Sequence, residues 1–264
     1  MTTHGTATVI SMTSPDEAVG QGEAEYAALL AMLRTLADAD WQRPTECPGW
    51  RVREMVAHVN GAAEEAVRTR VQMRHMAVAM TRDRSMPTVD SLSAQQVADR
   101  SGRTPAELLA ELTDLARRAP RARSKAPALI RSRPMPADSG ALPSDTFGYL
   151  LDVIYHRDVW MHRIDIARAT GCDLVSSAAE PAIVAQVVRD LARAWTGPAF
   201  TLTLTGRVEG SWLIGTGDRI AGELTVDAVA LCRLLSGRSD ETHPVYDGPA
   251  PDLVERLRRT RILF

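Results

Sequence analysis

The sequence predicts a mainly α protein, with an N-terminal helical bundle followed by a smaller α+β C-terminal domain. Three observations carry that prediction. Two proline-containing helix starts, Ser14-Pro15-Asp16-Glu17 and Thr104-Pro105-Ala106-Glu107, each run into leucines at helical spacing. Asp145 to Ala169 reads as a long helix stopped by Gly171. After Gly197-Pro198 the texture changes to short β-rich runs separated by turn residues.

Residues 1–13 are small and polar and read as a flexible tail. Serine, proline and glutamate at 14, 15 and 17 form a capping box, and Tyr26, Leu29, Leu30, Leu33 and Leu36 extend the first helix to about residue 39. Pro44 and Pro48-Gly49 make residues 41–50 a structured loop. The second helix carries Val52, Met55, Val56, Val59 and Ala62 on one side and continues through Met73, Met76 and Met80, a stripe expected to fill core. Residues 82–103 read as loop with at most a short helix. A third helix holds Leu108, Leu109, Leu112 and Leu115, and a proline-rich stretch from Pro120 to Pro143 separates it from the fourth.

A helix over about 178–195 comes next. Strands are expected at Phe200–Leu204, Ser211–Ile214 and Gly222–Val226, and helices at Asp227–Leu235 and Pro251–Arg258. The expected division is a bundle over 14–172 and an α+β domain over 173–264.

Composition narrows the function. Apolar residues make up 45% and charged residues 24% of 264, a globular balance with enough chain for one large or two smaller domains. A net charge of −2 argues against nucleic acid or an anionic membrane as partner. The basic stretch from Arg117 to Arg133 reads as a solvated helix end and loop. Three widely spaced cysteines give no disulfide framework, and neither a secretory leader nor a membrane-spanning run stands out, which fits a reducing cytoplasm. The single lysine, Lys125, lies in the basic stretch, which argues against Schiff-base chemistry.

The fourth helix carries the chemistry. Asp158 and His162, four residues apart, share a helix face with Leu151, Ile154 and Tyr155, so both are expected to point inward. His58 lies among the apolar residues of the second helix and also points inward. Two imidazoles and one carboxylate leave coordination positions open, the pattern of a catalytic metal rather than a closed structural one. Asp165 shares the face of His162 and is placed to orient it, whereas His156 points away. The same spacing also suits a surface ion pair, Glu54 is placed to pair with His58, and an inward histidine is commonly a satisfied core residue. Spacing by itself leaves these readings open. Cys47 is expected to be loop packing.

Three stretches together resemble a known family. They are Trp41-x-x-Pro44-Thr45-x-Cys47-Pro48-Gly49-Trp50 leading into Val56-Ala57-His58, Arg157-Asp158-Val159-Trp160-Met161-His162-Arg163-Ile164-Asp165, and Leu234-Leu235-Ser236-Gly237-Arg238. The chain resembles the mycothiol-dependent maleylpyruvate isomerase family. The resemblance implies a DinB-like four-helix bundle binding Zn²⁺ through His58, Asp158 and His162, with mycothiol as the thiol cosubstrate. It implies that Arg238, from the C-terminal domain, serves catalysis by holding a substrate carboxylate. The founding isomerase has glutamate where this chain has Asp158, one methylene shorter, and relatives often place threonine where Arg51 stands.

The implied reaction is attack of a metal-activated thiolate on a small-molecule electrophile, ending in isomerisation or in S-transfer. The implied partners are that electrophile and the thiol; no nucleic acid or membrane partner is expected, and a monomer is favoured with the oligomeric state left unknown. Two other classes remain, a non-catalytic metal or ligand binder and a metal-dependent hydrolase with water as nucleophile.

Overall fold

Ser14 starts the first helix as a reciprocal cap. Its hydroxyl accepts from the Glu17 N–H at 3.4 Å, and the Glu17 carboxylate accepts from the Ser14 N–H at 2.8 Å. Thr104 and Glu107 repeat this at 3.3 and 2.8 Å. These boxes open helices α1 (Pro15–Leu33) and α5 (Pro105–Ser124). Between them lie α2 (Val52–Val67), α3 (Thr69–Thr81) and α4 (Thr88–Ala98); α6 (Ala128–Arg131), α7 (Phe147–Tyr149) and α8 (Tyr155–Thr170) follow. The computed structural model describes residues 5–81, 87–217, 220–238 and 243–264.

The chain forms two units, residues 13–179 and residues 1–12 with 180–264. The core of the first is a cluster of buried side chains that includes Leu29, Leu33, Val56, Val59, Leu108, Leu112 and Ile166. Polar pairs pin its helices. Arg163 and Glu25, both fully buried, join α8 to α1 at 2.5 Å, and the same guanidinium bonds the Val175 carbonyl. That second bond ties the segment after α8 to the bundle, so the unit ends at 179 rather than at the expected 172.

Several expectations are corrected here. The first helix stops at Leu33, where Asp40 folds back to accept from the Ala37 N–H at 3.0 Å. The second helix breaks at Arg68 (φ −123°, ψ 88°). Past the break, His75 Nδ1 lies 2.6 Å from Glu65 Oε1, which turns the polar face of α3 inward. Met73 and Met80 therefore stand 67% and 81% exposed, and Met76 is exposed too, so the stripe is not core. Residues 88–98, within a stretch expected as loop with at most a short helix, form the 11-residue α4; residues 82–86 of that stretch lie outside the described residues. The third helix continues through Pro120, whose ring packs on Gly22 so closely that a Cβ there would come within 2.9 Å of it. Nor is the basic stretch uniformly solvated. Arg123 is 6% exposed, and Arg131 pairs with the buried Asp152.

The fourth predicted helix is one continuous rod with a flaw. A π turn at Leu150–Ile154 joins α7 to α8. An extra residue per turn rotates everything beyond it, and such turns recur next to functional sites. Here it ends one helical turn before Asp158. The helix ends at Gly171 (φ +75°), a left-handed cap that glycine adopts without strain.

In the second unit, β2 (Phe200–Thr205) and β3 (Gly210–Ile214) form a hairpin, and β4 (Glu223–Asp227) runs parallel to β2. These agree with the expected strands. Two edge strands were not foreseen, β5 (Val245–Asp247) beside β4 and β1 (Gly5–Thr6) beside β3, giving the order β1-β3-β2-β4-β5. Residues 5–12, read as part of a loose tail, thus belong to this unit, with Gly5 and Thr6 in the sheet itself. Ala7 is fully buried, and the Ser11 carbonyl accepts from Gln186 Nε2 at 2.8 Å. Helices α9 (Glu180–Ala194), α10 (Ala228–Leu235) and α11 (Leu253–Arg259) complete the unit. Among the described residues no helix is long and apolar enough to cross a membrane.

Candidate metal centre

Helix α2 is closed to solvent from Met55 to Ala63 except at His58. Helix α8 is closed from His156 to Ile166 except at Asp158. The two openings meet. His58 Nε2 lies 3.5 Å from Asp158 Oδ2, and His162 Nε2 lies 3.2 Å from Asp158 Oδ1. One donor atom from each of the three residues lies within 4.8 Å of the other two.

That spacing fits a metal ion. Ligands bound about 2.0–2.1 Å from a tetrahedral ion sit about 3.3 Å from one another. A second observation concerns hydrogen bonding. Buried polar atoms normally find partners. His162 Nε2 is buried and makes no well-aligned hydrogen bond among the described residues, although Asp158 Oδ1 stands 3.2 Å from it. Once deprotonated, that nitrogen could offer a cation its lone pair. The donor set of two imidazoles and one carboxylate suits Zn²⁺ and leaves coordination positions open.

Without an ion the three residues are electrostatically coupled. Burial would raise the Asp158 carboxyl, but the close imidazole of His162, and then that of His58, hold it well below the ordinary range. Burial likewise opposes charge on His162, and Asp158 outweighs it to push the imidazole well up, aided by Asp165 and Cys47. A cation between them would replace the proton that this pair shares.

The surroundings are built from three segments. Asp165 Oδ2 meets His162 Nδ1 at 3.2 Å, and Cys47 Sγ lies 3.9 Å from the same carboxylate oxygen. Cys47 is thus more than loop packing, since its thiol touches the group that orients His162. Trp50, from the same loop, sets its ring 5.0 Å from His58 and 6.3 Å from His162. The loop is closed by hydrogen bonds from Thr45 N–H and Oγ1 to the Trp50 carbonyl, both 2.9 Å. His58 Nδ1 is buried and has no partner among the described residues. Glu54 does not pair with His58; it caps α2 by accepting from the Arg51 N–H at 3.0 Å. His156 is buried away from the centre and pushed down to about 3, chiefly by burial, then by the charges of Arg157 and Arg123.

Arg238 belongs to the other unit, just past α10. There it shares a cavity of about 700 Å³ with Arg258, Arg259, Arg261 and Glu255. Sequence reasoning passed over Trp50 and Arg123 as participants. Trp50 stood in the loop motif but no spacing rule connects it to His58, and Arg123 was hidden among exposed arginines.

The profile of the mycothiol maleylpyruvate isomerase N-terminal domain matches residues 23–167, more than half of the chain. The chain belongs to that family. Its fold is also that of solved relatives. A crystal structure of the mycothiol-dependent maleylpyruvate isomerase aligns with TM-score 0.54 and 16% identity, covering 93% of this chain and 97% of that one. A point mutant of the mycothiol-dependent maleylpyruvate isomerase aligns with TM-score 0.53 and 13% identity over the same shares. No curated protein matches the sequence. At these identities the structural likeness establishes the mainly α fold with its small sheet, and leaves the activity to the residues of the site.

Proposed function

We propose that this family member is a metal-dependent enzyme that uses mycothiol to attack a small electrophile, ending in isomerisation or S-transfer. His58 Nε2, Asp158 and His162 Nε2 hold the ion, with Zn²⁺ the best match to the donor set. The observation that carries this reading is the donor spacing around a buried imidazole nitrogen with no aligned hydrogen bond among the described residues.

A divalent ion at this site supplies one thing, a thiol kept as thiolate at neutral pH. The chain's own residues do the rest. Asp158 provides the negative charge that balances the ion. Asp165 accepts from His162 Nδ1, which fixes the tautomer that leaves Nε2 unprotonated. Trp50 walls the histidines and excludes water from that side. Family resemblance makes Arg238 the candidate to hold a substrate carboxylate, and its own cavity, with three further arginines against one glutamate, suits an anion. Family membership supports mycothiol as the thiol, and a reducing cytoplasm suits such chemistry.

Two measurements test the reading. Elemental analysis is expected to find one divalent ion per purified chain, and His58→Ala to lose it while keeping the helical circular-dichroism spectrum. Mass spectrometry after incubation with mycothiol and a panel of electrophiles is expected to show thiol-dependent turnover. Metal with no thiol-dependent product leaves a binder, and turnover without thiol indicates a hydrolase.

A further inference from the structure

One residue at the opening has no place in the reading above. Along α8 and the π turn, from Asp152 to Ile166, only Tyr155 and Asp158 keep partial exposure. Tyr155, Asp158 and His162 stand at i, i+3 and i+7, one stripe of the helix. Tyr155 therefore shares the opening over the donor cluster, one turn from Asp158.

The ring is held rigidly. The Arg123 guanidinium carbon sits 3.7 Å from its centroid, on the ring face. Arg123 is itself fixed by the Ala62 carbonyl at 2.9 Å and the Tyr26 hydroxyl at 3.3 Å. Ala62 lies one turn beyond His58 on α2, so the stack is tied to both helices of the centre. A ring-face contact leaves the phenol hydroxyl available at the ring edge.

Arg123 has no direct ion-pair partner among the described residues, although the Glu65 and Asp158 carboxylates lie near enough to act on Tyr155. It is 6% exposed, and its Nε has no partner among the described residues. A buried cation without a counter-ion is costly. An anionic ligand entering the opening would offset that cost.

We propose that Tyr155 is a ligand-binding residue of the metal pocket, its hydroxyl donating a hydrogen bond to a carboxylate or other oxyanion of the small molecule held there. The assignment rests on the metal reading above. It specifies the ligand class, a small oxyanion bound beside the ion, and it casts Arg123 as the positioning residue behind the phenol. Burial, with further contributions from Glu65, Tyr26 and Asp158 against the opposing charge of Arg123, pushes the phenol up to about 12. The hydroxyl therefore keeps its proton and serves as donor across the working pH range.

The test uses full-length protein loaded with Co²⁺ and titrated with acetohydroxamate, an oxyanion probe read through the cobalt visible spectrum. Tyr155→Phe removes one oxygen and keeps the ring stack. The variant is expected to load cobalt with an unchanged spectrum and melting temperature, and to bind the probe about tenfold more weakly. Equal affinity in variant and parent overturns the assignment alone. A variant that fails to take up cobalt while the parent does also overturns it, since the hydroxyl would then serve the centre itself. Absence of a cobalt spectrum in both proteins removes the metal reading and this one with it.

Discussion

Asp165 Oδ2 stands 3.2 Å from His162 Nδ1, while Asp158 faces the same ring at Nε2. One imidazole is thereby held between two carboxylates, one at each ring nitrogen. Removing the orienting carboxylate's charge weakens control of ring position and tautomer. Asp165→Asn is expected to reduce zinc affinity by roughly tenfold or more, read by chelator competition, with helical content retained. Unchanged affinity would show that the contact is only packing.

Trp50 lies close enough to both histidines to report on an ion between them. Binding of Co²⁺ is expected to quench tryptophan emission. The chain has five tryptophans, so the decisive reading is a difference: Trp50→Phe is expected to abolish most of the cobalt-dependent change. A quench that survives the substitution places the ion elsewhere.

Glu64 anchors the polar seam between α2, α4 and α5. Its carboxylate accepts from the nearly buried Arg100 at 2.7 Å and pairs with Arg68. Burial would raise its carboxyl, but the hydrogen bond and charge of Arg100, then of Arg68, hold it below its ordinary 4.5. A carboxyl lowered in the folded state stabilises above that ordinary value, and the contribution is lost as pH falls through the folded value. Glu64→Gln is expected to cost roughly 1–3 kcal/mol at pH 7. In urea titrations that difference should shrink on acidification below 4.5. A gap that stays constant with pH counts against the electrostatic account.

Gly61 lets α2 and α4 touch. A Cβ there would meet Gln96 Cβ at 2.4 Å and its backbone Cα at 3.0 Å. Helix propensity alone makes Gly→Ala favourable by about 1 kcal/mol. Overpacking opposes it by roughly 1–3 kcal/mol, because a backbone atom must move. Gly61→Ala is thus expected to lower the melting temperature, and a rise would mean α4 packs more loosely than described.

The sequence by itself determined the elements with strong local signals. Ser14 and Thr104 announced their helices because a cap is a contact between residues three apart. The β2–β3 hairpin and β4 announced themselves through β-rich runs and turn residues, and Gly171 marked its helix end. Asp158 and His162 were legible as a pair because one helix face holds both. Tertiary contacts decided the rest. The break at Arg68 and the outward Met73 and Met80 follow from where Glu65 meets His75, a contact between residues ten apart that no periodicity encodes. Gly5 and Thr6 became a strand because β3 offered an edge, not because of their own propensity. The meeting of His58 with Asp158, a hundred residues apart, and the burial of Arg123 beneath Tyr155 depend on how helices pack. Local sequence can state which face a side chain occupies, but only packing brings two faces together and sets the distance between them.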